Sequence, residues 1–542
     1  MKKKCISFIG MALCVAMVAS GCGGGGKAAN NEKTESETNK AVITAEGTDV
    51  TKGTGSSDKD SLIFVINAEP NNLEPGASSS SDSYSRICMI QVYDTLLKEK
   101  IGDRTTLEPL LAENWEFQND GTTVMFTIKK DVKFQDGDGM TAEDVAFSLN
   151  RAMKMPNNLD IASMMVEAKV VDDTHVALDL EYAYSPVLNI LVNPAFAIIS
   201  KDYYEKCVAD GTNFGRNPMG TGAYKFVEWQ NGSNIKYEAF DQWHGGEVAI
   251  KNLEIRFMAD VTTAAIALES GDCDLFYGVD SADLPRLRSN TDLNVLSVQS
   301  SGFYFIALNS ANGALADQKV RQAVSYAINR QEIIDGGQDG VGWVTECPIT
   351  PGIFGYQENF HANAQDIEKA KALLAEAGYA NGLTIKMKTP ESSYYSRPAQ
   401  VIQEQLRQAG ITLELSTMER GAFNNDVANR DYESIYFWVG ASYPDADNIV
   451  YKLFNKDFAN ATGATNMANV ENNDADRIVK EARTTIDKDA RYKLYGELSQ
   501  LNNDNAWYIP ILTSTNTICA RADVAGAYGN SAGFYYISDL SY

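Results

Sequence analysis

Histidine is nearly absent from this 542-residue chain: His175, His244 and His361 are the only three. They stand far apart in different predicted elements, which speaks against a histidine metal cluster or catalytic base. No C-x-x-C spacing occurs. Cys5, Cys14 and Cys22 lie near the start, and Cys88, Cys207, Cys273, Cys347 and Cys519 are dispersed. A disulfide-built or zinc-built fold is therefore disfavoured. Positive charge is scarce, with 47 Lys and Arg against 72 Asp and Glu and a net charge of -25. That balance argues against a nucleic-acid or anionic-membrane surface and fits an acidic, solvated exterior. No P-loop, H-E-x-x-H or EF-hand pattern is present. Gly529-Asn530-Ser531-Ala532-Gly533 matches G-x-S-x-G in letters. A nucleophile elbow needs a strand, a turn, a helix and a later histidine. Here Phe534–Ile537 reads as a strand and no histidine follows. Gly220 and Gly222 do not begin a nucleotide loop, because Lys225 stands where the third glycine should be. No cofactor is expected. With no catalytic constellation, the chain reads as a binding protein rather than an enzyme.

Beyond the first twenty residues, no apolar run is long enough to span a bilayer. Lys2-Lys3-Lys4 followed by apolar Ile6–Val18 reads as a signal segment. Ala19-Ser20-Gly21-Cys22 resembles a bacterial lipobox, with Ala19 where Leu is usual. The resemblance implies cleavage before Cys22, a 1–21 signal peptide and a lipid on the Cys22 sulfur. The alternative is an ordinary secretory signal cut near Gly21. One lipid would hold the protein on a membrane without spanning it. Residues 22–60 hold almost no apolar side chains and are expected to form a flexible tether. The remaining length exceeds what one core usually supports, so two or three lobes are expected.

One stretch organises the rest: Leu107–Met153. Trp115 and Phe117 end one apolar alternation, and Asn119-Asp120-Gly121 is a turn that tolerates positive φ. Val124, Phe126 and Ile128 alternate as a half-buried strand. Thr141 with Asp144 is a capping-box-like helix start, and Val145, Leu149 and Met153 follow at helical spacing. The same residues closely resemble the signature of the family 5 extracellular solute-binding proteins of ABC importers. The matches include Pro109, Trp115, Asp120, Gly121, Phe126, Val132, Lys133, Phe134, Asp136, Gly137, Thr141, Asp144, Phe147 and Arg151. Met219-Gly220-Thr221-Gly222-Ala223-Tyr224, Trp243-His244-Gly245 and Val320-Arg321-Gln322-Ala323 continue the resemblance.

The resemblance implies an α/β, two-lobed periplasmic-binding-protein-like fold of type II, large form, with an extra subdomain. The expected first lobe is 61–92, 219–302 and 507–542, the subdomain 93–218 and the second lobe 303–506. Tyr84–Leu97 reads as a helix. Phe303–Asn309 is expected to cross into the second lobe, and Trp507–Leu512 to return to the first. Leu383, Ile385 and Met387, then a helix, then Ile411, Leu413 and Leu415 suggest parallel β–α–β pairing.

The function implied is capture of an extracellular solute, most readily an oligopeptide, for an ABC permease. A carbohydrate or nickel-chelate ligand is the alternative within the family, and a secreted hydrolase the alternative outside it. A monomer is expected. Cleft proteins bind between aromatic walls and a few polar anchors. Trp438-Val439-Gly440-Ala441-Ser442-Tyr443-Pro444-Asp445 resembles the family loop whose first Asp pairs with a peptide's free amine. That position is Ser442 here, which offers no charge. Asp445 is either a helix-capping residue or a substitute anchor. Trp438, Tyr443, Tyr304 and Tyr395 could stack on a ligand or pack in the core. Arg397 could meet a carboxylate or lie on the surface. Ser80 and Ser81 belong to a cleft rim or to a solvated loop.

Overall fold

The computed structural model describes residues 51, 59–77, 82–311, 313–459 and 465–542. The leader, Cys22, Ser80, Ser81 and most of the expected tether lie outside the described residues. Thr51, inside that tether, is tied down: its hydroxyl donates to the Val524 carbonyl at 2.7 Å, and Ala527 N donates back to it at 3.0 Å. Among the described residues, no helix is long and apolar enough to cross a membrane.

Two large sheets form the two lobes. The first has seven strands in the order Leu293–Gln299, Thr515–Arg521, Leu275–Tyr277, Ser61–Ile66, Asn252–Phe257, Asn234–Ala239, Tyr224–Gln230. Ser61–Ile66 lies between two parallel partners. Flanked on both sides, it reads as an unbroken apolar run, and Phe64, Val65 and Ile66 are fully buried. The second sheet has six strands in the order Trp343–Val344, Tyr508–Thr513, Gly302–Leu308, Ser434–Gly440, Leu383–Pro390, Ile411–Met418. Leu383–Pro390 and Ile411–Met418 are parallel, joined through the helix Ser393–Gln408.

A four-stranded antiparallel sheet carries the signature stretch. Ala112–Gln118 and Thr123–Ile128 form its hairpin. The turn residues Asn119, Asp120 and Gly121 all take positive φ, which is why the sequence needs Asn, Asp and Gly there. Val124, Phe126 and Ile128 are buried. The helix Ala142–Ala152 begins on a complete capping box between Thr141 and Asp144.

Three expectations are corrected. The first helix is Ser83–Val92 and stops before Tyr93, whose backbone is extended. Tyr508–Thr513 pairs with Gly302–Leu308 in the six-stranded sheet, so the chain returns to the first lobe one strand later than expected. An apolar run signals burial but not which sheet it joins. Phe534–Ile537 forms no strand. Gln91 replaces a strand neighbour there, donating to the Tyr535 carbonyl at 2.8 Å and accepting from Ile537 N at 3.2 Å.

The distant motifs meet at Val92–Tyr93. The Gln135 amide donates to the carbonyls of Val92, Gly222 and Tyr224 at 2.8–3.0 Å. A Cβ on Gly220 would sit 2.5 Å from the Val92 carbonyl oxygen, and one on Gly222 2.6 Å from the Val92 carbonyl carbon. Both obstacles are backbone and cannot swing away. Gly222→Ala is expected to destabilise the fold by about 1–3 kcal/mol, as overpacking does. Chemical denaturation checks this, and an unchanged midpoint would contradict the close approach.

Candidate ligand cleft

The chain passes between the two large sheets through Ser300–Ser301 and again through Ser514. Ser300 N donates to the Ser514 carbonyl at 2.8 Å, so the crossings run side by side. Just beyond the first crossing, Gly302 faces Gly440 in antiparallel register, and Tyr304 faces Trp438. The Trp438 indole lies over both glycines. A Cβ on Gly302 would come within 2.4 Å of Trp438 Cζ2, and one on Gly440 within 2.3 Å of Cη2. Only glycine at these two facing positions leaves the ring its seat.

Strand alternation puts Tyr304, Tyr436 and Trp438 on one face and Phe303, Phe305 and Phe437 on the other. Tyr395 bridges the two sets, 5.4 Å from the Tyr304 ring centroid and stacked on Phe437 at 6.0 Å. It belongs to the helix that follows Leu383–Pro390, at the carboxyl end of that strand, where open α/β sheets hold ligands. Arg420 follows the next parallel strand. Its guanidinium lies 4.6 Å from the Phe437 centroid and donates to the Tyr395 hydroxyl at 3.1 Å. Burial pushes the Tyr304 phenol above its ordinary range, so it stays protonated. A cavity of about 260 Å³ opens beside Tyr304. Tyr394, Val341 and Leu512 line it from one lobe, Val279 and Thr515 from the other. The space therefore lies between the lobes.

The loop after Gly440 divides into two parts. Ser442 is half-buried, and its N–H donates to Asn448 Oδ1 at 2.8 Å. Tyr443 and Asp445 are buried and face elsewhere. Asp445 forms a fork with Arg491, Oδ1 to Nη2 at 2.7 Å and Oδ2 to Nη1 at 3.0 Å. It also accepts from Asn189 Nδ2 and Asp447 N, each at 3.0 Å. Burial pulls the Arg491 guanidinium down, but the Asp445 charge and its neighbours outweigh it and hold the group above its ordinary value. Asp445 is fully buried with both oxygens engaged, which corrects its reading as a substitute amine anchor. The capping alternative is the one the contacts fit, since Asp445 Oδ1 accepts from the first N–H of helix Asp447–Phe454. Tyr443 packs into the apolar core of the four-stranded subdomain. Arg397 is held on the surface by Asp339, at 2.5 and 2.9 Å, so a ligand carboxylate there would have to displace an existing fork.

Tyr304 thus lines the interlobe cavity with Trp438 and Tyr395 as its neighbours, Ser442 follows on the next loop, and Tyr443, Asp445 and Arg397 are engaged with other partners. Sequence reading missed Arg420 and the Gly302–Gly440 pair. A glycine at each end of two apolar strands was the available signal, but the facing register is not visible in one dimension.

The sequence profile described as "Bacterial extracellular solute-binding proteins, family 5 Middle" matches residues 106–461. The dipeptide-binding protein of Escherichia coli is 27% identical over 508 residues, covering 89% of this chain and 94% of its own. Heme-binding protein A of Haemophilus influenzae is 27% identical over 511 residues, covering 88% and 92%. Among solved structures, HbpA2 from Haemophilus parasuis has a TM-score of 0.82 at 26% identity, covering 89% of this chain and 99% of that one.

Two outcomes follow from the geometry. Asp445→Asn removes one partner of a buried ion pair and is expected to cost about 3–5 kcal/mol of stability. A melting temperature equal to wild type would contradict the contacts described. Gly440→Ala unseats the Trp438 ring and is expected to lower ligand affinity as much as Trp438→Ala does. Calorimetry on both variants checks this, and full affinity in Gly440→Ala would show that the seat is dispensable.

Proposed function

We propose that this chain, which belongs to the bacterial extracellular solute-binding proteins of family 5, captures an oligopeptide between its lobes and delivers it to an ABC permease. It is an extracytoplasmic solute-binding component of an importer and not an enzyme. The finer reading adds a lipid on Cys22 as the membrane anchor and a monomer as the working form. The observation that carries the peptide reading is the aromatic wall beside a run of small residues. Trp438, seated on Gly440, and Tyr395 offer apolar faces, and the small half-buried Ala441 and Ser442 that follow leave room for an extended main chain. The E. coli relative bears the name of a dipeptide-binding protein, which supports the same class.

Arg420 is the group assigned to the peptide's carboxylate. It is exposed, sits on the aromatic wall and uses one donor on Tyr395. A guanidinium offers five donors in a planar fork, so others remain for a carboxylate. One observation favours a second reading. Ser442 carries no charge, and a desolvated ammonium without a partner is costly. A ligand without a free amine, such as a sugar or a nickel chelate, meets no such penalty.

A ligand that binds only the folded state raises its melting midpoint. In a thermal-shift panel, short peptides are expected to raise it, and oligosaccharides and nickel–histidine to leave it unchanged. A shift with sugars or nickel–histidine alone would sink the peptide reading. Ser442→Asp is expected to tighten free-amine peptides and leave N-acetylated ones unaffected. Arg420→Ala is expected to cost peptides about 1.5–3 kcal/mol, as loss of a charged hydrogen bond does, while a peptide amide stays at its wild-type value.

A further inference from the structure

We propose that Tyr184 and Asn189 of the four-stranded subdomain form a closure latch with the loop 442–448, and set how tightly the cleft holds its ligand without touching that ligand. The latch has two carboxylates at its centre. Asp447 is forked by Arg483 at 2.9 and 2.9 Å and accepts from the Tyr184 hydroxyl at 2.8 Å. Asp445 is forked by Arg491 and accepts from Asn189. Asn193 Nδ2 donates to the Ser442 carbonyl at 3.2 Å, and Lys452 pairs with Asp160 at the rim. Tyr443 completes the contact by entering the subdomain core.

The division of partners gives the latch its character. The four charges of the two forks, Asp445, Asp447, Arg483 and Arg491, belong to the side of the six-stranded sheet. Toward the two forks the four-stranded subdomain presents neutral side chains, Tyr184 and Asn189 as donors and the Ser185 hydroxyl as an acceptor from Arg491 Nη1 at 3.3 Å; its charged group, Asp160, stays at the rim. Opening the cleft therefore leaves both forks whole: it breaks hydrogen bonds that water can replace and the solvent-facing Lys452–Asp160 pair at the rim. Burial, and next the Asp447 charge, push the Tyr184 phenol well above its ordinary value, so it remains a donor. The strand Ser434–Gly440, which carries Trp438, runs directly into the loop that holds Ser442 and then the latch. Ligand contact and closure are thus mechanically one event.

Tyr184→Phe removes one hydroxyl and keeps the buried ring, and Asn189→Leu keeps the branched side-chain shape without its donor. Each loses one hydrogen bond to a carboxylate. Such a bond corresponds to about a tenfold change in the closed-to-open ratio. Small-angle scattering on the ligand-free chain is expected to give a larger radius of gyration for the double variant than for wild type. Equal radii overturn the latch, whatever the ligand is. The second measurement rests on the peptide reading above and uses trialanine as its probe. Each single variant is expected to release it about tenfold faster, with association unchanged, and the factor should be the same for other bound peptides. A slower association, or a factor that varies with peptide side chains, would place these residues in ligand contact instead and overturn the proposal. If trialanine fails to bind wild type, the peptide reading suffers and the scattering result alone decides the latch.

Discussion

Everything distinctive about this molecule depends on two strands crossing between sheets side by side. The Ser300–Ser514 backbone bond fixes that crossing. Just beyond it, the pairing of Gly302–Leu308 with Ser434–Gly440 places Gly302 opposite Gly440 and Tyr304 opposite Trp438. Shift that register by one residue and every side chain on Gly302–Leu308 changes face. The indole would lose its seat, and the aromatic wall would come apart. Hinge motions are absorbed at short connections of this kind, where a few terminal residues take up the backbone change and the sheets stay intact.

The sequence was most legible where local rules suffice. The Asn119–Gly121 turn, the Thr141–Asp144 box and the alternation of Val124, Phe126 and Ile128 are short-range effects, and each stands where its residue types require. The parallel pair Leu383–Pro390 and Ile411–Met418 was legible for the same reason, since an intervening helix leaves little other choice. The destination of Tyr508–Thr513 was not legible. Its six residues are all buried, and burial on both faces says nothing about which neighbours do the burying. Phe534–Ile537 misled because its backbone groups are satisfied by Gln91 and the Tyr528 hydroxyl, not by a ladder.

Of the proposed site, the aromatics were legible as a group. Trp438, Tyr304 and Tyr395 are aromatics that a cleft would use, and the structure gathers them. Asp445 shows the limit of reading a carboxylate from a loop motif. An acidic residue beside a cleft has two ways to lower its energy: meet a ligand cation, or find an arginine of its own. Arg491 lies 46 positions away and cannot be paired with Asp445 by inspection. The same holds for Arg420, which looks like any surface arginine until Tyr395 and Phe437 are placed beneath it.

Keeping the two forked ion pairs within one lobe, with only the rim pair Lys452–Asp160 across the gap, resolves a conflict any closing receptor faces. Strong interlobe contacts hold a ligand well but trap it. Weak ones release it but bind poorly. Charge pairs across the interface would have to be pulled apart in a low-dielectric setting at each opening, and breaking a buried pair is severe. Here Arg483 and Arg491 stay with Asp447 and Asp445, so the carboxylates are held rigid and only their remaining acceptor sites face across the gap. Tyr184 and Asn189 meet those sites with neutral donors, whose loss is modest because water can take their place. The acidic pair in the loop thus works as a fixed receptacle rather than as a ligand anchor.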